Sequence, residues 1–270
     1  MNNPVVFNTA NFAYRQAGYP GVNDWGLACR TTRLHLTPVE TYEERFDAIV
    51  AEVQAMGFDT LDLWTEHLAL RWLTPEHIEL AARVLGRRGM KVVSMAGGFG
   101  ATVEEFDLSC RIARRLGARI LGGGLDLLKT DRAAVVEKLE QYDLVYGFEN
   151  HPEKTPEEVL EKVGDAEGGR IGVCIDTGWF GTQGYDAAEA IRRLGGRLVN
   201  VHLKDVLREG THETCRYGRG VVSIRRCLQA LKEVGYSGPI DVEHEPEGFD
   251  PEADLKASHA LLRQWMKEIA

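Results

Sequence analysis

The stretch Leu198-Val199-Asn200-Val201-His202-Leu203-Lys204-Asp205 decides how the rest of the chain is read. At a period of two, Val199, Val201 and Leu203 share one face and Asn200, His202 and Lys204 the other. A parallel strand buried on both faces is apolar throughout. This one is apolar on a single face and runs into a histidine, a lysine and an aspartate. It predicts a strand whose outer face packs on helices while its inner face lines a functional cavity. Val145–Glu149, Ile171–Asp176 and Ile240–Glu243 have the same form, and each ends in an acid.

Working outward, the same alternation of short strands and longer helical patterns runs along the chain. Strands are expected at Val5–Phe7, Asp59–Trp64, Met90–Ala96 and Ala118–Leu121, then at Leu144–Glu149, Ile171–Asp176, Leu198–Lys204 and Ile240–Glu243. Helices are expected at Pro38–Met56, Pro75–Gly89, Thr102–Leu116 and Asp131–Tyr142, then at Pro156–Val163, Asp186–Leu194, Val222–Val234 and Pro251–Ile269. Thr102, with Glu105 three residues on, forms a capping box, and Gly57 and Gly117 read as helix stops. Phe12–Thr37, with Gly18, Pro20, Gly21 and Gly26, reads as a long irregular loop, and Val206–Gly220 as a second one. Strands alternating with helices imply right-handed crossovers and a parallel sheet. Eight such units in 270 residues predict an α/β fold, a single-domain (β/α)8 TIM barrel over residues 1–270. An open doubly wound sheet would carry GxGxxG after its first strand; none is present there.

Composition is that of a globular domain, 44% hydrophobic and 27% charged. No apolar run approaches the roughly 20 residues that cross a bilayer, so no membrane association is expected. A net charge of −9 argues against a nucleic-acid partner, while a small anion would need only a local basic patch. Five cysteines, an odd count without CxxC spacing, read as reduced thiols, and the expected location is cytoplasmic. Homo-oligomerisation is compatible with everything above.

In a barrel, side chains at the C-terminal strand ends face the active site. Parity places Glu149 inward on the fifth strand, Asp176 on the sixth, His202 and Lys204 on the seventh, and Asp241 and Glu243 on the eighth. Glu245 shares the parity of Glu243. Three carboxylates brought together would repel and titrate high. A divalent cation removes that conflict, and three carboxylates with one imidazole favour a hard ion. The expected set is Glu149, Asp176, His202 and Glu243 around one metal, Mn²⁺ first, with Mg²⁺, Co²⁺ or Zn²⁺ as alternatives. Taken singly, each acid also reads as a rim salt bridge and His202 as a satisfied core histidine; the shared strand position is what favours the metal. Lys204 is expected to hold a substrate hydroxyl or balance an oxyanion, or else to pair with Asp176 or Asp241. His67, just after the second strand, is expected on the pocket wall, with Asp62 lower in the cavity. Arg216 and Arg219, after the seventh strand, are candidates to grip a carboxylate or phosphate.

Glu149-Asn150-His151-Pro152, Asp176-Thr177-Gly178, His202-Leu203-Lys204-Asp205 and Val242-Glu243 occur in the order, and at the strand ends, seen in a known group. With weaker support from Gly57-Phe58-Asp59 and Gly218-Arg219-Gly220, the chain resembles the sugar phosphate isomerase/epimerase family. These are xylose-isomerase-like TIM barrels that include ketose 3-epimerases, inosose dehydratases and hydroxypyruvate isomerases. The resemblance implies one divalent ion on Glu149, Asp176, His202 and Glu243, with Glu149 and Glu243 as catalytic acid and base. It implies a small sugar, keto-polyol or keto acid as substrate and an enediolate on the path to epimerisation or isomerisation. An inosose-type dehydratase and a non-catalytic sugar-binding barrel are the alternatives. The family often carries D-x-G-H on the sixth strand, its histidine touching substrate; here position 179 is tryptophan. Trp179 is expected to stack on a sugar face or wall the pocket, and it cannot move a proton.

Overall fold

Eight parallel strands close into a barrel in the computed structural model, which describes residues 1–269. They are β1 (Val5–Asn8), β2 (Thr60–Trp64), β3 (Lys91–Gly98), β4 (Ile120–Gly124), β5 (Val145–Glu149), β6 (Ile171–Asp176), β7 (Leu198–Leu203) and β10 (Ile240–Val242). Neighbours around the barrel follow chain order, and β1 pairs with both β2 and β10 to close it. The expected fold is the observed one. Eight helices arise where the periodicity placed them: α2 (Val39–Ala55), α3 (Pro75–Arg88), α4 (Val103–Leu116), α6 (Arg132–Tyr142, after the single turn α5, Leu127–Thr130), α7 (Pro156–Val163), α9 (Ala187–Leu194), α10 (Ile224–Glu233) and α11 (Glu252–Ile269). Thr102 and Glu105 close the capping box that starts α4, and left-handed Gly117 (φ 95°) ends it. The outward residues of the strands, such as Val173, Ile175, Val201 and Leu203, are fully buried against this helical ring.

Two regions depart from the expectation. Phe12–Thr37 is not irregular: 3-10 turns at Thr9–Phe12 and Arg15–Ala17 lead into α1 (Trp25–Leu36). Asp24 caps α1 by accepting from the Leu27 amide at 2.8 Å. Only Ala28, Thr32 and Leu36 of α1 are buried. A stripe one residue wide, spaced by four, is too narrow to stand out beside the glycines that precede it. The loop after β7 contains a small antiparallel ribbon, β8 (Asp205–Val206) with β9 (Thr214–Cys215).

Strand β7 also breaks strict alternation. Its register against β6 shifts between Val173 and Cys174, so that Val173 faces Leu198 and Cys174 faces Asn200. Val199 is the extra residue of a bulge, and its side chain lies inside the barrel rather than against the helices. There it occupies room left by two glycines: a Cβ on Gly147 or Gly172 would stand 2.7 or 2.5 Å from a Val199 methyl. Above the bulge alternation resumes, and Asn200 and His202 face inward as expected.

Candidate active site

The barrel mouth holds a cavity of about 570 Å³ lined by Glu149, Trp179, His202, Lys204, Glu243 and Glu245 among others. That size is ordinary for a small-molecule site. His202 is its hub. On one side of the buried imidazole, Nδ1 lies 2.5 Å from Glu149 Oε1 and 3.5 Å from Glu243 Oε2. On the other, Nε2 lies 2.9 Å from Asp62 Oδ2 and 3.6 Å from Asp241 Oδ2. With the Asp62 carboxylate on Nε2, Nδ1 is the nitrogen turned toward the mouth, a carboxylate–histidine arrangement typical of metal sites. Asn200 donates to Asp241 at 2.6 Å, fixing the lower layer.

Lys204 is the second hub. Its ammonium lies 3.0 Å from Asp176 Oδ2, 3.3 Å from Glu243 Oε2 and 2.9 Å from Glu245 Oε2. Asp176 divides its two oxygens between tasks. Oδ1 caps the short helix α8 (Thr177–Thr182), accepting from the Gly178 and Trp179 amides at 2.7 and 3.1 Å. Oδ2 faces the site. Neither Asp176 Oδ2 nor Glu243 Oε2 accepts a hydrogen bond, although both are fully enclosed; Lys204 meets them by charge alone. Potential ligand atoms of Glu149, His151 and Asp176 lie within 4.8 Å of one another, as do those of Glu149, Cys174 and His202. The four residues expected from parity thus meet at one end of the barrel, joined through His202 and Lys204.

The electrostatics follow from this packing. Burial disfavours the Glu149 carboxylate, but His202 and His151 overcome it and hold Glu149 below its ordinary value. Glu243 goes the other way, raised well above its ordinary value because burial outweighs Lys204 and His202. Asp176 is held down to about 2, Lys204 outweighing its burial. Asp241, buried beside Asp62, is raised well above the usual carboxylate range. His202 and Lys204 are both raised well above their ordinary values: burial opposes this, but Cys174, Glu149 and Glu243 outweigh it at His202, and Asp176, Glu243 and Glu245 at Lys204. Two buried carboxylate oxygens without hydrogen bonds, beside an imidazole nitrogen held by a carboxylate behind it, are a donor set that suits a hard divalent cation.

Other expected residues divide. Trp179 and Lys204 stand on the cavity wall, as does Glu245. His67 does not: it is 1% exposed, packed edge-on against Trp64 and Phe46, and burial pushes its pKa down to about 3. The 3-10 turn after β2 swings it into the core. Arg216 borders a neighbouring hollow with Arg219, 3.9 Å from Asp254, and not this cavity. The β8–β9 ribbon turns it outward.

Three contributors were not singled out in the sequence. His212, on the β8–β9 loop, stacks on Trp179 with centroids 4.0 Å apart and lies 2.9 Å from Thr182 Oγ1 and 3.5 Å from Lys204 Nζ. An imidazole therefore stands in the cavity beside the tryptophan. Trp25 and Trp64, centroids 5.3 Å apart, line the opposite wall. No local pattern marked Trp25, which lies off the buried stripe of α1, and none marked His212.

Comparison with known proteins agrees with this architecture. The family model for xylose isomerase-like TIM barrels matches residues 50–265. L-ribulose-5-phosphate 3-epimerase UlaE of Escherichia coli is 38% identical over 73 residues, 27% of this chain and 24% of that protein. The matches to the first curated relatives span at most 47% of their length. Among solved structures, a D-tagatose 3-epimerase-like protein superposes with a TM-score of 0.69 at 18% identity, covering 98% of both chains. A xylose isomerase-like TIM barrel protein from Mycobacterium smegmatis in complex with magnesium gives 0.67 at 17% identity, covering 99% of this chain and 98% of that one. At those identities the structures speak for the fold, and the family model for membership: this chain belongs to the xylose isomerase-like TIM barrel family.

Proposed function

We propose that the mouth of the barrel is the active site of a divalent-metal-dependent isomerase or epimerase acting on a small polyhydroxylated carbonyl compound. The observation that carries this reading is the pair of enclosed oxygens without hydrogen bonds, Asp176 Oδ2 and Glu243 Oε2, beside His202. Glu149, Asp176, His202 through Nδ1, and Glu243 would hold the cation. Mn²⁺ is the first choice for a mainly carboxylate set, with Mg²⁺, Co²⁺ and Zn²⁺ as alternatives. The epimerase names of the relatives and the magnesium in one structural neighbour support the same reading.

When bound, such a cation supplies Lewis acidity at a substrate carbonyl. The remaining chemistry belongs to the chain. Glu149 and Glu243 rise from strands separated by β6 and β7, so they flank a substrate carbon from two sides. One removes the proton α to the carbonyl and the other returns a proton. Return to the opposite face gives an epimer; return to the neighbouring carbon gives an isomer. Loss of a β-hydroxyl from the same enediolate gives dehydration, the alternative outcome. Lys204 is positioned to balance the enediolate charge. Trp179, Trp25 and Trp64 offer apolar faces to the C–H side of the sugar and keep water out.

The test is α-proton exchange in D2O, followed by NMR with free ketoses and keto-inositols, on protein reconstituted with Mn²⁺. Exchange that requires about one metal per chain is the expected result. Exchange at full rate in metal-stripped protein refutes the metal-dependent reading; tight sugar binding without exchange in any reconstituted sample turns the assignment to a sugar-binding barrel.

A further inference from the structure

We infer that the substrate of this site is uncharged: a free sugar or polyol ketone carrying neither phosphate nor carboxylate. The inference rests on the reading of the mouth as a sugar site and narrows its substrate class. It separates this chain from the relative named for a sugar 5-phosphate.

An anionic substrate needs fixed donors for its extra charge, either cationic side chains or a set of free backbone amides. The cationic side chains near the mouth are outnumbered by acids, and most are paired with one. Among the described residues, the cavity wall has one lysine, Lys204, and no arginine, against Glu66, Glu149, Glu243 and Glu245; its histidines, His151, His202 and His212, already face Glu149, Glu243 and Thr182. Lys204 is buried and ringed by Asp176, Glu243 and Glu245 at 2.9–3.3 Å. The hollows around the mouth repeat the pattern. Arg71 is paired with Glu66 beside Glu104 and Glu105. Lys129 pairs with Asp126, and Lys162 with the buried Glu153. Arg216 and Arg219 share their hollow with Glu213, Glu245, Glu247 and Asp254. In every one of these hollows acids outnumber lysines and arginines.

The backbone turn that follows the seventh strand is filled as well. Phosphate sites in barrels of this class use the loops after the last two strands. Here the amides of Gly218 and Gly220 donate to Asp205 Oδ2, and that of Val222 to Asp205 Oδ1, all at 3.0 Å. A buried carboxylate of the chain itself already fills the anion-binding turn. A Cβ at Gly220 would stand 2.1 Å from the Val206 carbonyl oxygen, so the turn is closed tightly over Asp205.

Two measurements on the Mn²⁺-reconstituted full chain test this. The first compares α-proton exchange of L-ribulose and D-tagatose with that of L-ribulose 5-phosphate and D-tagatose 6-phosphate. The expected kcat/KM favours the free sugars at least tenfold; equal or greater kcat/KM for the esters overturns the inference while leaving the proposed activity standing. The second reads binding without turnover, by tryptophan fluorescence and thermal shift with ribitol against ribitol 5-phosphate. Response to ribitol alone supports an uncharged ligand even if no exchange is found, so the two readings fail separately. Response to the phosphate alone, to both equally, or to neither overturns the inference.

Discussion

The two halves of the barrel mouth are built from different chemistry. Strands β5, β6, β7 and β10 carry, within one residue of their ends, Glu149, Asp176, His202 with Lys204, and Glu243. Strands β2, β3 and β4 end in Trp64, Gly97-Gly98 and Gly123-Gly124, and Trp25 of α1 closes over them. The glycines on that side are demanded by backbone approach. Gly123 sits at φ 144°, and a Cβ there would lie 2.1 Å from the Gly97 carbonyl oxygen. One half concentrates ionisable groups, each held by another; the other is mainly apolar, two tilted tryptophan rings over a glycine-lined floor, with Glu66 at its rim and Asp62 beneath it. The difference teaches that reactivity and grip are assigned to separate strands, so substitutions should affect kcat on one side and KM on the other.

The largest effect is expected from Glu149→Gln or Glu243→Gln. Each should lower kcat about 10²–10⁴-fold, the range for a lost acid or base, with KM little changed by comparison. Steady-state kinetics of the folded, metal-loaded variants checks this, and near-normal turnover would abolish the proposed division. Asp62→Asn should act next, weakening metal affinity about 10–100-fold by releasing the Nε2 side of His202. Calorimetric Mn²⁺ titration reads it directly, and an unchanged affinity would remove Asp62 from the site. On the apolar half, Trp25→Ala should raise KM about tenfold, equivalent to ~1.4 kcal/mol, with kcat nearly intact. A kcat loss instead would merge the two halves.

A further effect, on stability rather than turnover, concerns the core beneath that wall. His67, below the apolar wall, is buried neutral, its pKa lowered from 6.5 to about 3. Between those values the unfolded chain binds the extra proton and the folded one does not, so stability rises with pH through this window. Its contribution is complete above pH 6.5 and falls by up to about 1.4 kcal/mol per pH unit as the solution is acidified toward 3. His67→Phe should therefore flatten the loss of Tm between pH 7 and pH 4. An unchanged slope would show that His67 does not carry it.

How much of this was legible in the sequence depended on the kind of signal involved. The barrel was, because a strand with one polar face and a helix with one apolar face repeat with unmistakable periods. Parity also placed Glu149, Asp176, His202 and Glu243 on inward faces at one end, where the structure gathers them. Parity failed at Val199, because a bulge obeys the space left by Gly147 and Gly172 rather than any local pattern. His67 misled because a 3-10 turn rotates side chains away from the strand's alternation. Trp25 and His212 were out of reach for another reason. Both arrive on excursions of the chain, α1 and the β8–β9 loop, whose positions are set by tertiary contacts such as Trp25 on Trp64 and His212 on Trp179.

The carboxylate of Asp205 has a consequence for how this protein can be altered. It ties the turn at Gly218–Val222 to the end of β7. The Tyr217 hydroxyl donates to the Leu203 carbonyl, and the Tyr217 amide to Ser258 Oγ at 3.2 Å. The Thr214 hydroxyl oxygen accepts from the Glu245 amide at 3.1 Å. The span from Leu207 to Glu213 is thus a cassette clamped at both ends. Within it Gly210 and Thr211 hydrogen-bond to Thr182 of α8, and through His212 changes at its other positions reshape what the cavity admits. Directed evolution of selectivity belongs at Leu207, Arg208 and Glu209, exposed positions of that span, and at His212 itself.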